Sequence, residues 1–195
     1  MDFTPEPLTQ DVSFAFHIEK TAGVVVDSLT AEISGVPSTM ELTTGLILAQ
    51  KTYKLLFRPA YAALPSAADS TSTEALRCEA AVNIPGIVRS HTEDMVTGPG
   101  ILQIAIYTHY DYEEEGTQRK AAKVFHAGIN LYHTLKECKS LQWDEEAGGY
   151  RQASRSITVE IGTPLEIDKD GILNSGSTST GLDQWIPGET FEIEV

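Results

Sequence analysis

Asp11-Val12-Ser13-Phe14-Ala15-Phe16-His17-Ile18-Glu19 decides the fold class. Val12, Phe14, Phe16 and Ile18 fall on every second residue, separated by Ser13, Ala15, His17 and Glu19. Successive side chains of an extended chain point to opposite faces, so this stretch is a strand with one face in a core.

The same period recurs along the chain. Val24-Val25-Val26 opens a run that continues through Leu29, Ala31 and Ile33. Ser34-Gly35-Val36-Pro37-Ser38 predicts a turn, and Met40-Glu41-Leu42-Thr43 a short strand before Thr44-Gly45. Lys51–Arg58 carries Tyr53, Leu55 and Phe57 on one face and stops at Pro59. Residues 61–73, rich in Ala and Ser, read as a loop or one exposed helical turn. Glu74–Asn83 alternates again, with Leu76, Cys78, Ala80 and Val82 on one side, and ends at Pro85-Gly86. A polar connection leads to Gly100. Ile101-Leu102-Gln103-Ile104-Ala105-Ile106-Tyr107 is apolar on nearly both faces, which predicts a central strand covered on both sides. Asp111-Tyr112-Glu113-Glu114-Glu115-Gly116 predicts an acidic loop and Lys123–His133 a further strand. Thr134–Ser140 could make a brief helical turn. Tyr150–Ile161, Leu165-Glu166-Ile167 and Thr190–Val195 close the series, with a Ser/Gly/Thr-rich loop at Gly171–Gly181. Roughly ten short strands with almost no helix predict an all-β sandwich of antiparallel strands with long loops, one domain over residues 1–195.

Composition fits that picture and narrows the partners. The 195 residues are 41% hydrophobic and 22% charged, the balance of a folded globular chain. Lys+Arg 14 against Asp+Glu 28 gives a net charge of −14. Such a chain repels phosphate backbones and anionic bilayers, which argues against nucleic acid as a partner. No run of ~18 apolar residues provides a transmembrane helix. Met1-Asp2-Phe3-Thr4-Pro5-Glu6-Pro7 is not the start of a signal peptide, so the chain reads as cytosolic or as a trimmed form of an exported protein. Cys78 and Cys138 are too few for a disulfide framework; two buried free thiols and one bridge are both compatible with them.

Catalytic chemistry finds no support in the motifs. The five histidines (His17, His91, His109, His126, His133) lack the spacing of a zinc-binding helix, and no nucleophile elbow or phosphate loop occurs. Asp168-Lys169-Asp170-Gly171 has the outline of a calcium loop, but Ser179 stands where the closing Glu would be. A turn between strands is the simpler reading. Asp111 with Glu113-Glu114-Glu115 reads as a solvated hairpin loop. The expectation is therefore no enzyme, no cofactor and no metal. Tyr107, Tyr110 and Tyr112 gather near His109 at the end of the central strand. Aromatic faces of this kind can stack on sugars, which makes Tyr110 and Tyr112 candidate ligand-facing residues; the alternative is a core Tyr107 with loop tyrosines beyond it.

Several strands carry a resemblance. Ile33-Ser34-Gly35-Val36-Pro37 followed by Leu42-Thr43-Thr44-Gly45 resembles a turn-and-strand signature of the fimbrillin superfamily, the type V pilus proteins and their anchor relatives in Bacteroides-type bacteria. Gly100–Thr108 and Ile129-Asn130-Leu131-Tyr132-His133 are similar to its central strands. Ile157–Ile161, Leu165–Ile167 and Trp185-Ile186-Pro187-Gly188 are similar to its ending. The resemblance implies a transthyretin-like sandwich and a structural or assembly role in a fimbria or adhesion system. It implies a lipoprotein at the cell surface and outer membrane, and other fimbrial subunits as partners through β-strand addition. Family members have two domains and a lipidated cysteine; neither is found here, so this chain reads as the second domain of a longer exported precursor. Thr190-Phe191-Glu192-Ile193-Glu194-Val195 alternates cleanly, which makes Phe191, Ile193 and Val195 a candidate strand-exchange segment; otherwise the strand completes its own sheet with Phe191 and Ile193 in the core. A carbohydrate- or ligand-binding surface module that recognises host or surface glycans is the alternative function.

Overall fold

The computed structural model describes residues 9–65, 73–86, 88–89, 96–98, 100–131, 141–146, 148–152, 154–173 and 185–193. Among these residues fourteen strands form in order: β1 Gln10–Thr21, β2 Val24–Met40, β3 Ile47–Phe57, β4 Ala60–Ala63, β5 Thr73–Ile84, β6 Val88–Arg89, β7 Val96–Gly98, β8 Ile101–Glu114, β9 Thr117–Asn130, β10 Leu141–Asp144, β11 Gly149–Gln152, β12 Ser156–Glu160, β13 Leu165–Ile167 and β14 Trp185–Ile193. Two five-stranded sheets result. One runs β12-β1-β5-β4 with β13 also on β1, the other β14-β9-β8-β2-β3; β6-β7 and β10-β11 are separate small pairs.

The alternation in Asp11–Glu19 decides the first sheet. Val12, Phe14, Phe16 and Ile18 are buried, and twelve residues of β1 pair antiparallel with β5, placing Phe14 opposite Ala80 and Phe16 opposite Cys78. The inward faces of both sheets share one core, in which Phe14, Phe16 and Ile18 meet Ile33, Leu102, Ile104 and Phe125. Two ring contacts bridge the sheets: Phe14 stacks on Phe57 at 5.7 Å, and Phe16 meets Trp185 edge-on at 5.8 Å. The fold is an all-β sandwich.

Not every pairing is antiparallel. β12 and β13 lie end to end along β1, both parallel to it, with the Ile161 N–H donating to Ala15 O between them at 2.9 Å. A long excursion from β9 separates β12 from the opposite sheet, so no tight hairpin dictates its direction.

Four expectations along the sequence need correction. Ser34–Ser38 is not a turn: β2 runs unbroken to Met40, and Ser34-Gly35 form a bulge opposite β3, with Gly35 at φ 75°. Pro37 is tolerated because it lies beyond Ile33↔Leu102, the last β2–β8 pair. The turn falls at residues 41–46 instead, where Gly45 N–H donates to Glu41 O and Glu41 N–H to Leu46 O. Leu42 is therefore an exposed turn residue and not part of a strand. The acidic run is likewise mostly strand. β8 continues to Glu114, and Glu115-Gly116, both at positive φ, make the two-residue turn into β9. Finally, the first residues of the expected loop at 61–73 belong to β4; residues 66–72 lie outside the described part, as do those of the expected helical turn at 134–140.

Cys78 is a free thiol on the core side of β5, while Cys138 lies outside the described residues. Burial pushes the Cys78 thiol up from 9.0 to about 12. Across that interval the unfolded chain releases the proton and the folded chain retains it, so stability present below pH 9 is lost as pH rises toward 12. Cys78→Ala should flatten this part of a stability-against-pH curve. Native Cys78 should also resist iodoacetamide at mildly alkaline pH, whereas rapid labelling of the folded chain would contradict its burial.

Candidate functional site

Two features of the β14-β9-β8-β2-β3 sheet stand out: its last strand and its outer face. β14 is an edge strand, paired antiparallel to β9 from Trp185↔Ile129 to Ile193↔Ala122. Trp185 is 3% exposed and its indole N–H donates to Thr163 O at 2.9 Å. Between Pro187 and Thr190 the register shifts, leaving Gly188 and Glu189 opposite His126, whose Nδ1 lies 2.9 Å from Glu189 O. Phe191 follows on the outer face, 50% exposed, edge-on to His126 at 5.6 Å. The strand thus completes its own sheet, but Phe191 is not core: the bulge sets its outward phase. Val195 lies outside the described residues, and the Ile193 side chain is not described.

Gly188 matters because of its close approach to β9. A Cβ there would stand 2.9 Å from His126 Cβ and 3.2 Å from His126 O. Gly188→Ala should therefore destabilise the strand by about 1–3 kcal/mol and accelerate hydrogen exchange of β14 amides relative to β1. Unchanged exchange in β14 would refute this packing.

The tyrosines are divided between two faces. The β8–β9 ladder is continuous from Ile101↔Asn130 to Glu114↔Thr117, so side chains alternate without a phase change. Tyr107 lies on the outer face and is 37% exposed, whereas Tyr110 and Tyr112 lie on the opposite face near the hairpin end, 6.2 Å apart. Tyr107 is neither core nor part of a three-tyrosine platform. The ammonium of Lys123 sits 5.6 Å from the centre of the Tyr110 ring and reaches Lys169 O at 2.9 Å and Glu192 at 3.4 Å. Burial opposes its charge, but Tyr110 and Glu192 more than offset this and hold its pKa above the usual lysine value. Tyr110 is thus partly occupied by a neighbour, and Tyr112 remains exposed.

The outer face of β8 also differs from the expected double cover. Leu102, Ile104 and Ile106 are buried, but Ile101 is 46% exposed and Gln103 is exposed. An apolar sequence reports hydrophobicity, not the presence of a covering layer. Here the uncovered face forms an open groove of about 640 Å³ across β9, β8 and β2, with Leu56, Tyr107, Ile101 and Ile186 among its lining residues. Leu56 and Ile186 are 71% and 65% exposed. Sequence reasoning missed this groove. Its one legible signal is Gly128, an isolated glycine inside a strand pattern.

Among the described residues no group of three or more His, Cys, Asp or Glu side chains is placed to hold a metal ion. The Asp168 carboxylate instead accepts the N–H groups of Asp170 and Gly171, both at 2.7 Å, and closes a turn. In the acidic hairpin Glu114 pairs with Arg119 at 2.8 Å. His109 pairs with Asp27 at 2.7 Å, and no described helix is long and apolar enough to cross a membrane. No family model, curated protein or solved structure matches the chain.

Proposed function

We propose that the protein is a non-enzymatic structural or assembly component of a cell-surface fimbria or adhesion system, with a transthyretin-like sandwich, carried to the outer membrane as part of a lipid-anchored precursor. Neighbouring subunits join it by β-strand addition. The observation that carries this reading is β14. It lies at a sheet edge, its buried side-chain anchor is Trp185, and Ile186 and Phe191 face outward. A strand of this kind can be supplied by a second subunit in the same register, because the main-chain ladder of β9 would take the same segment, with its bulge and Gly188, from a neighbouring copy.

The test uses the intact chain and a labelled peptide of residues 185–195. Time-dependent uptake of the peptide, together with oligomers that grow with protein concentration, is the expected result. A chain that stays monomeric at every concentration and takes up no peptide overturns the strand-addition reading.

A further inference from the structure

The pairing register arranges the outer face of the β14-β9-β8-β2-β3 sheet into rows. Phe191, Val124 and Tyr107 lie side by side; next come His126, Ala105 and Thr30; then Ile186, Gly128, Gln103, Glu32 and Leu56; then Asn130 and Ile101. The middle of this face is low because Ala105 and Gly128 carry little or no side chain. Tyr107 and Ile101 bound it along the strands, and Ile186 and Leu56 bound it across them, each pair ~20 Å apart by strand spacing.

Gly128 is the informative residue. Glycine in a strand interior costs roughly 0.5–1 kcal/mol relative to alanine. It is retained by the fold where φ is positive or where another backbone comes too close. Neither holds here. Gly128 is not among the positive-φ glycines, and an added Cβ would meet nothing nearer than Gln103 Cγ and Leu102 O, both at 3.9 Å. Gly188, which is crowded at 2.9 Å, shows what a structural requirement looks like in the same sheet. The missing side chain at position 128 deepens the floor of the groove.

We propose that this groove is a binding site for a short neutral oligosaccharide. The lining mixes the two kinds of surface that a sugar presents. The exposed Tyr107 ring offers a flat apolar face for ring C–H groups, and Gln103, Glu32 and Thr30 offer donors and acceptors for hydroxyls. Charge selects neutrality. Glu32 is balanced by Lys54 at 2.6 Å, and a chain of net charge −14 repels anionic sugars. A peptide is poorly served, because the groove lies on the face of the sheet. Main-chain groups there are already spent in the β2–β8–β9 ladders, and strand addition needs an edge. The groove's volume of about 640 Å³ falls inside the ~300–1,000 Å³ range of small-molecule sites.

The inference is independent of the assembly reading, and its test leaves β14 intact. The full chain is titrated with cellohexaose, laminarihexaose, maltohexaose, mannohexaose and chitohexaose by calorimetry and by amide chemical shifts. Saturable binding of at least one, with shifts centred on Ala105 and Gly128, is the expected result. Tyr107→Ala and Gly128→Val should each weaken it about tenfold or more, equivalent to about 1.4 kcal/mol. Gly128→Val should do so without lowering the melting temperature, which a purely structural glycine would not allow. Tyr112→Ala should leave binding unchanged. Absence of saturable binding across the panel overturns the proposal. So does binding that survives both groove variants, or a groove that takes up apolar peptides and no sugar.

Discussion

Trp185→Ala will lower the stability of the sandwich by about 3–5 kcal/mol, whereas Phe191→Ala, six residues later in the same strand, will cost about 1 kcal/mol. The asymmetry follows from what each ring touches. Trp185 is almost fully buried, stands edge-on to Phe16 of the opposite sheet, and donates its indole N–H to Thr163 O. Its removal leaves a cavity between the sheets and an unpaired carbonyl. Phe191 is half exposed and rests against His126 alone among the described aromatic contacts. Urea unfolding followed by circular dichroism measures both. Equal losses would mean that β14 is held along its whole length, which would remove the main physical support for its exchange between subunits. The expected asymmetry instead describes a strand whose buried aromatic anchor lies at one end, with the other end joined to β9 chiefly through the main-chain ladder.

Much of the sandwich was legible because β1 and β5 obey one period throughout. Val12, Phe14, Phe16 and Ile18 on one strand, and Leu76, Cys78 and Val82 on the other, are all buried and face one core. Legibility failed where the period itself changes. In β14 the extra residue at Gly188-Glu189 turns Phe191 outward, although Phe191 alternates perfectly with its neighbours. Alternation identifies two faces without saying which one is inside, and a bulge exchanges them. The candidate site failed for a different reason. Tyr107, Tyr110 and Tyr112 are neighbours in sequence, yet a strand sends odd and even residues to opposite sides. The groove at Ala105 and Gly128 assembles from different strands, and only the pairing register places them together. Gly128 was the one visible mark, and its meaning required knowing that a Cβ there would meet nothing closer than 3.9 Å.

Deleting Asp27 should be nearly as damaging as losing Trp185, at about 3 kcal/mol, although Asp27 is exposed. Buried side chains of β2 stand at Val24 and Val26 before it and at Leu29, Ala31 and Ile33 after it. The even-to-odd switch is made by one extra residue between the pairs Val26↔Thr108 and Ser28↔Tyr107. Without that residue, Leu29–Ile33 can keep their places only if Val24 and Val26 turn outward and Val25 turns inward. One valine's burial is lost in the exchange, worth roughly 1.5–3 kcal/mol. The tether at this point is lost as well, because Tyr61 donates its hydroxyl toward Val26 O and Asp27 O, and His109 pairs with the Asp27 carboxylate. Asp27→Ala, which removes the carboxylate but keeps the residue count, should cost about 1 kcal/mol or less, as exposed pairs do. Chemical denaturation of the two variants separates phase from charge. If the deletion is no worse than the substitution, the bulge is not what sets the faces of β2; if it is about 2 kcal/mol worse, the backbone count at position 27 governs which side of the sheet each valine occupies.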